Sequence, residues 1–170
     1  DVSVSICSFN VNSIRSRVDL VKRWLTEKRS VDILSLQEIK CEAKQFPFET
    51  FEQMGYQCAV SGQKRLNGVA ICSKLPIKDI KTEFGIDLFD REKRLIQTLI
   101  GDTLVLNCYV PRGGLEGEER HIYKMAFYDA LTDYCKILLK KYEKVIVLGD
   151  FNVALTELDV HDSELFEGAV

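Results

Sequence analysis

Residues 2–9 alternate between apolar and polar side chains and are rich in Val, Ser and Ile, a period of two that predicts a strand ended by Asn10. Val18, Val21, Trp24 and Leu25 then recur at helical spacing with charges between them, and SVDILSL (residues 30–36) reads as a second, buried strand. Strand, helix and strand in succession make a β-α-β unit, which implies a parallel pair. Phe46 to Met54 predicts a short helix stopped by Gly55. Tyr56–Val60 and Gly68–Cys72 predict a hairpin around SGQKRLN. Pro76 marks the start of a strand at Ile77–Ile80, and Leu95–Ile100 and Thr103–Tyr109 follow, joined by a turn at Gly101-Asp102. Glu118 to Lys141 is the longest helical pattern, with Ile122, Met125, Ala126, Ala130, Ile137 and Leu138 at roughly helical spacing. Lys144–Leu148 (KVIVL) is a buried strand that runs into Gly149-Asp150. Mixing β-α-β units with hairpins predicts the α/β class, with mixed sheet flanked by helices and no internal repeat or linker.

With 170 residues and 46% apolar content, the chain suits one domain with a real core. Four of its six cysteines fall inside apolar strand runs and none forms a CxxC pair, so they are expected to be reduced, buried and structural. No apolar stretch is long enough to span a membrane and the first residues do not resemble a signal peptide, so a reducing intracellular (cytoplasmic) setting is expected. A net charge of −3 and a pI near 5.5 argue, taken alone, against a nucleic-acid partner. The average conceals an asymmetry: Glu157, Asp159, Asp162, Glu164 and Glu167 crowd the end of the chain, and residues 1–156 carry 23 basic against 21 acidic side chains. The body is mildly basic.

The candidate chemistry lies at strand exits. Asn10 and Asn12 follow the first strand, Gln37 and Glu38 the second, and Asp150 and Asn152 follow KVIVL. In a helix-covered sheet the strand ends open onto a common edge, where residues distant in sequence converge. Glu38 and Asp150 offer hard oxygen ligands suited to Mg2+ or Mn2+, and Asn10 and Asn152 add neutral oxygens or donors. Arg15, Arg17, Lys40, Lys44 and Arg112 sit in the same loops, a combination that suits a metal ion beside a phosphate ester. Singly, each has an ordinary reading: an Asn or Asp after a strand is more often a turn or helix cap, and the cations are more often solvated surface charges.

The motifs are more specific together. SFNVNSIRSR, DILSLQEIK, GYQCAVSGQKRLNGVAI, REKRLIQT, LVLNCYVPRGG and VIVLGDFNVALTELDV resemble, in order and spacing, those of the exonuclease III family of AP endonucleases. The wider superfamily of DNase I-like nucleases, sphingomyelinases, inositol-polyphosphate phosphatases and deadenylases shares the LQE and GDFN elements. Lys40 after QEI, the GQK segment with Lys64, and the NxYxPxG pattern favour the exonuclease III branch.

The resemblance implies a four-layer α/β sandwich and a Mg2+-dependent (or Mn2+-dependent) DNA-repair nuclease. Such an enzyme acts on double-stranded DNA at abasic sites and 3′ ends, leaves a 3′-hydroxyl, and implies no obligate protein partner. It further implies Glu38 as the main metal ligand with Asn10 beside it, Tyr109 as a contact to the scissile phosphate, Asp150 in proton transfer close to the metal, and Asn152 steadying charge on phosphorus. Arg15, Lys40, Lys64 and Arg112 are expected to bind substrate, Arg112 standing where relatives often carry an amide. The family pattern continues past Val170 into a second β-rich half with an Asp-His pair. Residues 1–170 are therefore expected to be a single domain short of its C-terminal part, poorly active alone, with one sheet's apolar face uncovered. His121 and His161 are expected at the surface. Two other readings stay open: a phosphodiesterase acting on RNA, lipid or inositol phosphates, and a catalytically dead binding module.

Overall fold

A computed structural model describes residues 3–114 and 118–154. The acidic run from Glu157 to Glu167 and His161 lie outside the described residues, as does Val2. Among the described residues eight strands form two sheets, where the sequence pattern had left the number of sheets open. Strands β1 (Ile6–Asn10), β2 (Ile33–Gln37), β3 (Gln57–Ser61) and β4 (Val69–Ser73) make the first, in the order β1-β2-β4-β3. Strands β5 (Ile77–Lys81), β6 (Leu95–Ile100), β7 (Thr103–Tyr109) and β8 (Lys144–Asp150) make the second, in chain order. The pairs β1/β2 and β7/β8 are parallel and the others antiparallel. Each parallel pair needs a crossover, supplied by α1 (Ile14–Arg23), which continues through a wider π-helical turn at Trp24–Lys28, and by α4 (Glu119–Lys141).

Alternation along each strand divides its side chains between two cores. Leu34 and Leu36 of β2 face outward with Ala70 and Cys72 of β4, against Ile14, Val21 and Leu25 of the first crossover and Phe51 of α2 (Phe48–Gln53). Ile33, Val69 and Ile71 face inward and meet Ile96, Ile100 and Val105 of the second sheet. On the far side, Leu104, Leu106 and Cys108 of β7 pack on Phe127, Leu131, Tyr134 and Leu138 of α4, and on Phe89 of α3 (Asp87–Asp90), a turn of helix that the periodicity did not predict. The layers run helix, sheet, sheet, helix. Both faces of each sheet carry packed side chains, so the expected uncovered face is not seen; what is open is the flank, where the edge strands β1 and β8 are only half-buried, with Phe9 43% exposed.

Helix α4 corrects the pattern-based reading. Its buried residues are Lys124, Phe127, Leu131, Tyr134 and Leu138, whereas Ile122, Met125 and Ile137 are 62%, 47% and 59% exposed. Apolar residues occupy more than one side of this helix, and the stripe at alternating steps of three and four, which brings four aromatic or leucine anchors onto Phe89 and β7, is the one that packs. The six cysteines are free, as expected, but only Cys41, Cys72 and Cys108 are buried; Cys7, Cys58 and Cys135 are half-exposed.

Candidate active site

Asn10, Gln37, Tyr109 and Asp150 are each the last residue of a strand, so the two parallel pairs end on one edge of the sandwich. In register, Asn10 lies beside Gln37 and Tyr109 beside Asp150. Contacts between the sheets join these ends. The Asn10 Nδ2 donates to Asp150 Oδ2 at 2.8 Å, and the Tyr109 hydroxyl donates to Glu38 Oε1. Four of the predicted site residues, from four separate strand ends, thus meet in one place.

Asp150 is held symmetrically: its Oδ1 accepts the Asn152 backbone N–H at 3.0 Å while Oδ2 takes Asn10. Asn10 in turn accepts the Asn12 N–H on its own Oδ1 at 3.1 Å. Asn152 Nδ2 donates to Val110 O at 2.7 Å. Two donors on α4 grip the backbone of the same loop, with Lys124 Nζ 2.6 Å from Asn152 O and the Tyr128 hydroxyl on Phe151 O. Lys124 is only 4% exposed, and burial pulls its ammonium below the ordinary lysine value. Gly149 is required here: at φ +148 it passes so close to β7 that a Cβ would lie 1.8 Å from Cys108 O.

Tyr109 is held from behind. The Arg94 guanidinium lies 4.8 Å from the ring centroid, and its Nη1 donates to Tyr109 O at 3.0 Å. Glu92 Oε2 accepts from Arg94 Nε and lies 2.7 Å from its Nη2, so this buried cation is neutralised. Burial, then the bond to Glu38, push the phenol well above its ordinary range, so Tyr109 is a proton donor at neutral pH. Glu38, Lys40 and Asn152 all adopt left-handed backbone, at φ 53, 53 and 48. Each costs on the order of 1 kcal/mol for a residue with a Cβ. Such strain concentrates here because the loop after β2 is pinned by Ile39 N to Gly68 O and Lys40 N to Asn67 O.

The expected substrate-binding cations divide. Lys40 Nζ is 2.6 Å from Asn12 Oδ1 and 3.8 Å from Glu38 Oε2, inside the cluster. Arg15 reaches Lys40 O at 3.5 Å. Lys64 and Arg112 are exposed, in the β3–β4 loop and just after β7, with no described contact to Glu38 or Asp150. His121 is half-buried near the start of α4. Arg94, Lys124 and Tyr128 were not singled out from sequence. The signal for Lys124 was available: a lysine on the same helical stripe as Phe127 and Leu131 is a buried cation.

The donors suit a hard, mostly hydrated divalent ion: two carboxylates and two amides, all oxygen, and among the described residues no group of three His, Cys, Asp or Glu close enough to form a cage. Among the described residues, Glu38 Oε2 meets the Lys40 ammonium at 3.8 Å and accepts no hydrogen bond. The fold, two stacked mixed sheets between helices, defines the class as an α/β sandwich. The sequence pattern of the endonuclease/exonuclease/phosphatase family matches residues 7–168, and the chain belongs to that family.

Within it, the chain is 34% identical to the exodeoxyribonuclease III of Haemophilus influenzae over 158 residues, covering 90% of this chain and 59% of that protein. It superposes on an AP endonuclease from Archaeoglobus fulgidus with a TM-score of 0.87 and 36% identity, covering 98% of this chain and 64% of the other. The 3′-5′ exonuclease NExo from Neisseria meningitidis gives 0.88 and 32%, covering 97% and 64%. The chain therefore spans about three-fifths of the length of these relatives.

Proposed function

We propose that this chain carries one side of the hydrolytic centre of a DNA-repair nuclease that cleaves phosphodiesters of double-stranded DNA at abasic sites and 3′ ends. The observation that carries this reading is the meeting of Glu38 with Tyr109 and of Asn10 with Asp150 at one sandwich edge. Relatives described as exodeoxyribonuclease III, AP endonuclease and 3′-5′ exonuclease support it, and one related structure is bound to a product DNA hairpin.

Glu38, with Asp150, Asn10 and Asn152 as further oxygens, would hold Mg2+ or Mn2+, which supplies Lewis-acid polarisation of phosphoryl oxygen. The remaining chemistry belongs to the side chains. Tyr109, kept protonated, turns its one hydroxyl proton from Glu38 to a non-bridging oxygen of the scissile phosphate when substrate is bound. Asp150, its two oxygens each oriented by a single donor, accepts the proton of the water that attacks in line. The Asn152 amide steadies the charge that builds on phosphorus. Because its Oδ1 is occupied, Asn10 serves Asp150 first. Arg15, Lys40, Lys64 and Arg112 bind backbone phosphates, which positions a duplex without reading its sequence.

The test is incision of duplex DNA bearing one abasic-site analogue, alongside removal of a 3′-phosphate, by the full-length protein with Mg2+ and with chelator. Metal-dependent cleavage 5′ to the abasic site is expected. Turnover of a lipid or inositol phosphate by a protein that ignores both DNA substrates would replace this reading.

A further inference from the structure

Backbone hydrogen-bond ladders fix the register within each sheet, whereas the two sheets are joined by side-chain hydrogen bonds, among them the site contacts Asn10–Asp150 and Tyr109–Glu38 themselves. Between the sheets lie Ile33, Val69, Ile71, Ile96, Ile100 and Val105, and apolar contact has no direction. The site nevertheless needs Glu38 of one sheet against Tyr109 of the other. One polar joint crosses this apolar interface beside the site. Asn107 of β7 is wholly buried and Gln37 of β2 is 1% exposed. The Asn107 Oδ1 accepts Gln37 Nε2 at 2.9 Å, and its Nδ2 donates to Leu36 O and Ala70 O, both at 2.9 Å. Leu36 and Ala70 are register partners on β2 and β4, so one side chain of the second sheet is tied to two strands of the first. Gln37 Nε2 also lies 3.1 Å from Ser8 Oγ on β1.

We infer that Gln37 and Asn107 are positioning residues, whose joint sets the offset between the sheets and thereby brings the Tyr109 hydroxyl to the Glu38 carboxylate. The spacing is direct: Glu38 follows Gln37, and Tyr109 stands two residues after Asn107 on the same strand face. A hydrogen-bonded amide pair adds little net stability over an apolar pair of the same shape, so its particular contribution is direction.

The test compares Asn107→Leu, Gln37→Leu and the double variant in the full-length protein. Each single change strands a buried amide and lowers Tm; the double change removes the Gln37–Asn107 pair together but still withdraws the donor from Leu36 O and Ala70 O, so it recovers only part of that loss. A misplacement of about 1 Å at a catalytic group can cost on the order of a hundredfold in rate. The double variant is therefore expected to lose about that much kcat with KM changed by less than about threefold. This kinetic arm rests on the nuclease reading. A second arm does not: the hydrogen-bonded Tyr109 hydroxyl proton is followed by NMR, assigned by its disappearance in Tyr109→Phe. Its loss from the double variant supports the joint even in a protein without nuclease activity. Should the double variant not fold, Gln37→Met, nearly isosteric, serves for both readouts. A folded variant that keeps the hydroxyl resonance and wild-type kcat overturns the inference.

Discussion

Glu38 combines a left-handed backbone, a hydrogen bond from Tyr109 and a lysine ammonium at 3.8 Å, so its charge and not its volume is the property the site uses. Glu38→Gln keeps the shape and removes the charge. In the full-length protein it is expected to lower divalent-dependent cleavage at least about a hundredfold while leaving the unfolding midpoint nearly unchanged. Titration with Mn2+ should show weaker binding; unchanged Mn2+ affinity would move the ligand role elsewhere. Tyr109→Phe removes one donor and is expected to cost about 10²-fold in kcat, the usual loss for one transition-state hydrogen bond. Because burial raises the Tyr109 phenol, it is protonated in the folded protein past the ordinary value of about 10. Stability from that proton is present below pH about 10 and is lost as pH rises beyond it, so the cleavage profile should have no alkaline limb from Tyr109 at lower pH. Asn10, Glu38, Tyr109 and Asp150 were legible because they interrupt or end apolar runs. The roles of Arg94 and Asn107 were not, since Arg94 falls in a charged segment just ahead of β6, Asn107 lies inside the apolar run of β7, and nothing local says that either side chain reaches across to another element.

Helix α4 shows where periodicity ran out at the scale of an element. A helix with apolar residues on several sides offers more than one stripe, and only the tertiary partner decides between them. The buried stripe makes a sharp forecast. Phe127→Ala, at 0% exposure, is expected to cost about 3–5 kcal/mol by chemical denaturation. Ile122→Ala and Met125→Ala should each stay within about 0.5 kcal/mol, and a loss of several kcal/mol at either would mean that this face is covered. Gly149 poses the opposite case, a position with no room at all. Gly149→Ala would set a Cβ 1.8 Å from Cys108 O, between β7 and β8. The strands must part, at about 3 kcal/mol or more, with loss of the Tyr109-to-Asp150 alignment. Thermal unfolding and cleavage should fall together. Sequence did mark this place, because a Gly directly ahead of an acidic residue at the end of KVIVL is the residue type that close backbone approach demands.

Across the whole molecule, the strands were readable from the pattern, and their partition into two sheets only from the four-layer sandwich that the family resemblance implies. Alternation reports that each strand has two faces in different surroundings, which is equally true of one sheet and of two stacked sheets. The switch occurs in the three residues between Ser73 and Ile77, where Pro76 was the only visible sign. The site was legible without the partition because the motifs fix residues at strand ends, and strand ends meet whichever way the sheets divide. The Asn10–Asp150 hydrogen bond has a further bearing, on timing. Its partners are 140 residues apart in the chain. At about 5–20 residues per second on the ribosome, the first must wait on the order of ten seconds for the second to be made. Loop closure over that distance also places the bond among the late events of folding. In stopped-flow refolding, Mn2+ binding should therefore recover no earlier than the emission of Trp24, which reports on the first crossover. A nascent chain would thus display Asn10 and Glu38 well before Tyr109 and Asp150 reach them, and this edge would stay unassembled until β8 had docked.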